Sequence, residues 1–176
     1  MNFKILNRES VYQGRAFEVQ KVYLQLPNNK KRYYDLVVHH DSVTIIPLGQ
    51  DGNLWFVSQY RLGVEGQLLE LPAGVLEDGE DPKGGALREI REEIGMSSNN
   101  LKFLGDFYLA PGYSSEHMFI YLATDLFPSS LDPDSDEFIN VQKISIPDVL
   151  DLVHKGEIKD AKTLAALMLA LPQLSV

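Results

Sequence analysis

The chain contains no cysteine, which removes disulfides, thiolate metal sites, iron–sulfur clusters and cysteine nucleophiles together. Any metal must be held by carboxylate, imidazole or carbonyl groups. Positive charge is also scarce: 16 Lys and Arg stand against 25 Asp and Glu, a formal net charge of −9. A broad electrostatic grip on nucleic acid or on an anionic membrane is therefore disfavoured. The tightest group of bases, Lys30-Lys31-Arg32, reads as solvated residues beside a hairpin turn. Long apolar runs are missing as well: the most apolar stretch, Leu164 to Leu171, falls well short of the roughly 18 residues of a membrane span. The opening MNFKILNRES lacks the apolar segment of a signal peptide. These absences predict a cytoplasmic protein with no nucleic-acid partner and no membrane. At 176 residues and 44% hydrophobic, the composition is that of one globular domain.

The first 70 residues read as short strands. Phe17 to Leu26 ends in alternating Val22, Leu24 and Leu26; Pro27-Asn28-Asn29 turns, and a return strand runs from about Arg32 to His39. Val43 to Leu48 and Leu54 to Tyr60 flank Gln50-Asp51-Gly52-Asn53, which predicts a second hairpin. Gln67 to Leu71 is a further short strand. Asp81-Pro82 starts a helix that ends near Gly95. Gly84 and Gly85 weaken it by about 1 kcal/mol each relative to Ala, so packing must hold its first turn. Strands follow at Leu101 to Tyr108, Met118 to Thr124 and Phe138 to Ser145. Two helices close the chain, Pro147 to about Lys155 and Asp160 to about Leu171. The acidic, proline-containing Phe127 to Glu137 is expected to be a loop over a site.

Residues Gly74 to Met96 hold seven acids and three bases. On a helix Glu89, Glu92 and Glu93 stand at i, i+3 and i+4, so their carboxylates share one stripe while Leu87, Ile90 and Ile94 face a core. Like charges so close repel, and Arg88 and Arg91 offset only part of that. A hard divalent cation, Mg²⁺ or Mn²⁺, would relieve the conflict, because such ions take oxygen ligands and bridge carboxylates to phosphates. A solvated acidic face is the competing reading of the same spacing.

The full spacing is Gly74, five residues, Glu80, seven residues, Arg88-Glu89-Ile90, one residue, Glu92-Glu93, one residue, Gly95-Met96. It resembles the Nudix box, the signature of hydrolases that cleave nucleoside diphosphates linked to another moiety. The resemblance implies an α/β Nudix fold, an α/β/α sandwich around a mixed β-sheet, here with an N-terminal antiparallel β region. It implies Glu89 and Glu93 as principal Mg²⁺ ligands (Mn²⁺ as a substitute), Glu92 at or near the metals with a catalytic part, and the Ala73 carbonyl as a further ligand. Glu80 and Arg88 are expected to orient the box acids, and Gly74 and Gly95 to serve backbone geometry.

Outside the box, Tyr12-x-Gly14-Arg15-x-Phe17-x-Val19, Gln59-Tyr60-Arg61, Glu70-Leu71-Pro72-Ala73-Gly74 and Pro111-Gly112-Tyr113-Ser114-Ser115-Glu116 are similar to the ADP-ribose pyrophosphatase branch. Ser115 departs from that branch, which has Asp there. Gly156-x-Ile158-x-Asp160-x-x-Thr163 fits the branch as well. The resemblance implies hydrolysis of ADP-ribose to AMP and ribose 5-phosphate, with Arg61 on the substrate phosphate and Arg32, Glu70, Pro111 and Gly112 as further substrate contacts. The general base, or an extra metal ligand, is expected at Glu137, with Asp136 next, and Glu116 is a second catalytic candidate. Phe17, Tyr33 and Tyr113 read as core or strand-face residues before adenine stackers, and His39 and His40 as structural. The branch is typically homodimeric, which implies residues 1–40 as an N-terminal β region that dimerises and 41–176 as the hydrolase domain. A pyrophosphatase for another nucleotide sugar, such as GDP-mannose or ADP-glucose, and a non-catalytic ADP-ribose sensor are the alternatives. The complete glutamate set argues against a sensor.

Overall fold

The computed structural model describes residues 2–132 and 138–174. They divide into two compact units, Met1–Asp41 with Tyr108–His117, and Ser42–Phe107 with Met118–Val176. The first unit is an antiparallel sheet of β1 (Lys4–Gln13), β2 (Phe17–Gln25) and β3 (Lys31–His39), in that order. The expected hairpin joins β2 to β3, with Asn29 at φ 61° in its turn and Leu26 N–H donating to the Lys30 carbonyl at 2.7 Å. Asn tolerates that left-handed backbone better than most residues. Strand β1 has no counterpart in the sequence reading. Its pairing with β2 is interrupted by two irregularities, between Ile5 and Asn7 and between Ser10 and Tyr12, and these break the alternation that would have revealed it. Segment 108–117 lies along β3: Val37 N–H donates to the Tyr113 carbonyl at 2.8 Å and Ser115 N–H to the Val37 carbonyl at 2.9 Å. Ser115 Oγ accepts from His39 N–H at 3.0 Å, a backbone tie made by the residue that departs from the branch pattern.

The second unit holds two sheets. One is mixed, in the order β7 (Ala73–Val75), β4 (Ser42–Pro47), β9 (His117–Pro128), β8 (Met96–Tyr108), with β4 and β9 parallel. The other is antiparallel, in the order β10 (Ile139–Ser145), β5 (Asn53–Arg61), β6 (Gly66–Glu70). The helices are α1 (Pro82–Glu93), α2 (Ile146–His154) and α3 (Ala161–Ala170). Helices α1 and α3 both pack on β4, and α2 packs on β10. All six residues of β4 are buried, as a strand covered on both faces requires. Its Val43 and Ile45 join Val57, Ala86, Ile90 and Ile94 in the core between the strands and α1.

The second hairpin does not form. The turn itself does, with Gly52 at φ 77° and Gly49 N–H on the Asn53 carbonyl at 2.8 Å. Beyond a single bridge, Leu48 to Leu54, the two strands part into different sheets. Both edges of β4 are taken, by β7 and β9, so β5 pairs with β6 and β10 instead. Turn chemistry fixes a local reversal, not the partner of the strand that follows it.

Candidate active site

Helix α1 starts as its sequence dictates: the Asp81 side chain accepts from Lys83 N–H at 3.1 Å and Gly84 N–H at 3.0 Å, ahead of Pro82. Gly95, at φ 67°, follows its last turn. Ala86, Ile90 and Ile94 are buried, with Leu87 packed partly against the same core. That apolar face fixes the rotation of the helix and so aims the acidic stripe. Glu89 and Glu93 are only 7% and 6% exposed, which the solvated-face reading does not accommodate.

One guanidinium organises these acids. Arg88 donates through Nε and Nη2 to the two oxygens of Glu80 at 3.0 and 2.9 Å. Its Nη1 reaches Glu89 Oε1 at 2.7 Å and Glu92 Oε2 at 2.9 Å, and Nη2 also meets the Val75 carbonyl at 3.1 Å. The fork to Glu80, reinforced by Glu89 and Glu92, raises the Arg88 pKa far above its ordinary value despite burial. The same hydrogen bonds lower that of Glu80. Glycine at position 74 leaves room for this arrangement: a Cβ there would collide with the Glu89 carboxylate. Gly74 is not among the positive-φ residues, so its contribution is space for Glu89. Gly85 is similar, since a Cβ would meet Leu76 and come within 3.1 Å of Glu80 Oε2. Glu93 Oε2 accepts from Ala73 N–H at 3.1 Å, which ties the peptide before Gly74 to the end of the acidic stripe.

A second charged cluster lies at the end of β6. Arg61 forks Glu70 through Nε at 2.8 Å and Nη2 at 2.6 Å. The Glu70 side chain is 1% exposed and that of Arg61 40%. Lys162 of α3 reaches Glu70 Oε2 from the helix side, and Asp160 Oδ2 lies 3.0 Å from the Lys162 Nζ. Burial alone would raise the Glu70 pKa, but hydrogen bonds from Arg61 and the charge and hydrogen bond of Lys162 outweigh it and hold the carboxyl below its ordinary value. The hydrogen bond to Glu70 raises the Arg61 pKa against burial, with the charges of Glu70, Glu93 and Asp160 adding to it. Asp160 also caps α3, accepting from Thr163 N–H at 3.0 Å and Thr163 Oγ1 at 2.6 Å. Thr163 Oγ1 in turn accepts from Leu71 N–H at 2.9 Å.

The sequence reading marked Arg61, Glu70, Asp160 and Thr163 but not Lys162, whose only signal is a lysine in a helix that is apolar apart from it and Thr163. Several of the remaining expected residues belong to the first unit. Arg32 is on β3, exposed, with Nη1 on the Lys31 carbonyl at 3.1 Å. Pro111 and Gly112 are exposed, and Glu116 N–H donates to Ser114 Oγ at 3.2 Å; all three belong to the first unit. Asp136 and Glu137 lie outside the described residues. His39 Nδ1 is 2.7 Å from the His40 carbonyl oxygen.

Among the described residues no three His, Asp or Glu side chains stand ready-arranged around one point for a metal ion. Arg88 is the cation that bridges Glu80, Glu89 and Glu92 here. The donor chemistry nevertheless fits a hard divalent ion. Three carboxylates, those of Glu80, Glu89 and Glu92, share one guanidinium, Glu93 stands on the same helix stripe, and the space beside Gly74 is kept for the Glu89 carboxylate. No helix among the described residues is long and apolar enough to cross a membrane.

The family profile described as NUDIX domain matches residues 38–167. The chain is 33% identical over 166 residues to the ADP-ribose pyrophosphatase of Bacillus subtilis (strain 168), covering 93% of this chain and 90% of that protein. It is 33% identical over 167 residues to the ADP compounds hydrolase NudE of Escherichia coli (strain K12), covering 94% and 89%. A crystal structure of an ADP compounds hydrolase superposes with a TM-score of 0.89 at 32% identity, covering 99% of this chain and 95% of that one.

Proposed function

The chain belongs to the NUDIX domain family, and on that premise we propose that it is a divalent-metal-dependent pyrophosphatase that hydrolyses ADP-ribose to AMP and ribose 5-phosphate. The observation that carries the reading is the buried acidic stripe of α1, Glu89 and Glu93 above all, held in register by Arg88 and by the space at Gly74. A pure binding module would have no use for so costly a concentration of buried like charge. The relatives named for ADP-ribose and ADP compounds support the substrate class.

Glu89, Glu92, Glu93 and the Ala73 carbonyl are the proposed metal ligands, with Mg²⁺ the expected ion and Mn²⁺ a substitute. The bound ion supplies neutralisation of the phosphate oxygens and lowers the pKa of the attacking water. Arg88 and Glu80 keep the box carboxylates in orientation as charge accumulates around them. Arg61 grips a substrate phosphate; its fork to Glu70 employs Nε and Nη2, and the Nη1 edge suits an anion. Proton removal from water is assigned to Glu137, with Asp136 and Glu116 as the other candidates, and Arg32, Pro111 and Gly112 to contacts with the remainder of the substrate.

We also propose a homodimer assembled through the N-terminal strands. Val22, at 6% exposure, is the one large apolar residue of β1 to β3 that is buried, whereas Ile5, Val11, Tyr12, Phe17, Tyr33 and Tyr34 are exposed. That is more apolar surface than a free sheet of this size ordinarily carries.

Product analysis with Mg²⁺ and separate ADP-ribose, ADP-glucose, GDP-mannose and dinucleoside polyphosphate substrates tests the reading. AMP and ribose 5-phosphate formed fastest from ADP-ribose is the expected result. A preference for GDP-mannose or ADP-glucose would retain the α1 chemistry and replace the substrate. Tight binding of ADP-ribose without turnover would favour a sensor.

A further inference from the structure

Lys162 is 92 residues from Glu70 in the chain and only 8% exposed. A lysine with a flexible, strongly hydrated ammonium is seldom buried so completely unless it is paired. Its two acidic partners are Glu70, itself buried, and Asp160. Glu70 is thus clamped from both sides. The guanidinium of Arg61 takes it along the sheet, with both carboxylate oxygens engaged, and the ammonium of Lys162 takes Oε2 from the helix. The partially exposed member of the chain is Arg61, the residue to which the proposed function assigns the substrate phosphate. The acids and bases of the cluster balance, two of each, so pairing within it leaves no charge uncompensated in the interior.

We propose that Lys162 is a positioning residue for the substrate-binding arginine: by fixing the Glu70 carboxylate from behind, it holds the Arg61 guanidinium in one orientation with its outer edge toward the phosphate. This rests on the phosphate-binding assignment of Arg61. Without Lys162, Glu70 keeps one partner and can rotate, and Arg61 follows it. The energetic effect therefore falls on substrate affinity and on the orientation of the bound diphosphate. The chemistry of the α1 carboxylates is untouched. A merely structural alternative exists, because the same helix start is also tied to the end of β6 by Thr163 and Leu71. Thr163 Oγ1 also donates to Asp160 Oδ2 within the cluster, so the stability control is taken outside it, at Ser145, the cap of α2.

The experiment is a double-mutant cycle on KM for ADP-ribose with Mg²⁺, using Lys162→Met, Arg61→Ala and the pair, with Ser145→Ala alongside and thermal midpoints for all. Lys162→Met is expected to raise KM about tenfold, the scale of one charge-assisted hydrogen bond, with kcat changed less, and to raise it no further in the Arg61→Ala background. Lys162→Arg should restore much of the affinity, and Ser145→Ala, which removes the cap of α2, should lower the thermal midpoint and leave KM alone. If Lys162→Met does not fold, Lys162→Gln, which keeps a donor without the charge, carries the same comparison. Two results overturn the proposal: an unchanged KM in a folded Lys162 variant, or an equal rise in KM with and without Arg61. An unchanged KM in Arg61→Ala alone would instead remove the phosphate assignment of Arg61 itself, so the two failures are distinguishable.

Discussion

Two arginines of the second unit each sit at the centre of a carboxylate cluster, and the clusters are built to opposite balances. Arg88 faces Glu80, Glu89 and Glu92, with Glu93 on the same helix stripe, so acids outnumber bases. Around Arg61 the acids Glu70 and Asp160 are matched by Arg61 and Lys162. The first arrangement carries an excess of acids and gains from a further cation. The second is complete, and the guanidinium edge it presents suits an anion. A diphosphate carried with a divalent ion, as the proposed function requires, needs both kinds of surface. The pair of clusters therefore supports the proposed substrate more strongly than either does alone.

The sharpest way to break this contrast is at the acid-rich cluster. Glu93→Gln removes a proposed ligand without changing volume, and turnover is expected to fall by at least about a hundredfold, with the circular dichroism spectrum and unfolding midpoint close to the parent's. Parent-level turnover would sink the ligand assignment. Next in size is Gly74→Ala. The added Cβ collides with the Glu89 carboxylate, so a loss of about 1–3 kcal/mol in urea unfolding is expected, together with reduced activity. If stability fell and activity did not, the glycine would be spacing the strand and not the carboxylate.

The smallest effect separates the clusters by acid sensitivity. Glu70 and Glu80 both titrate below the ordinary 4.5 in the folded chain, so near and below that pH the unfolded chain takes up protons more readily. The stability each group contributes is complete above about 4.5 and is lost as pH falls through its folded value. Unfolding measured at about pH 7 and about pH 3.5 should show a decline in the parent that Glu80→Gln reduces, and that the fully buried Glu70→Gln reduces more. A Glu70→Gln protein with the parent's full acid decline would mean that Glu70 does not titrate as its surroundings imply.

The acid-rich cluster was legible in the sequence because Arg88, Glu89, Glu92 and Glu93 lie on one helix, where a fixed 3.6-residue repeat converts spacing directly into geometry, and only Glu80 stands ahead of it. The balanced cluster was only half legible. Arg61 and Glu70 stand near each other in the chain, but Lys162 joins them through the docking of α3, and no local pattern encodes that. The same division holds for the fold. Helices α1 and α3 were readable from their starts at Asp81-Pro82 and Asp160, and α2 from Pro147, although its cap is Ser145, which the sequence places at the end of the preceding strand. The pairing of β4 was not, since a uniformly buried strand offers no alternation to orient it and its neighbours come from distant parts of the chain. Gly74 shows a further limit. A glycine announces that something is special at its position, but whether backbone angle or side-chain room is at stake appears only when Glu89 is placed against it.

The lacing of segment 108–117 along β3 has a consequence for the order of events during synthesis. His39 and its partner Ser115 are separated by 76 residues, and at about 5–20 residues per second that interval lasts roughly 4–15 s on the ribosome. For that time the outer edge of the N-terminal sheet exists without the segment that will cover Val37. An open edge is an invitation to pair with a neighbouring nascent chain. Crowded translation should therefore test this protein most severely before its catalytic half is finished.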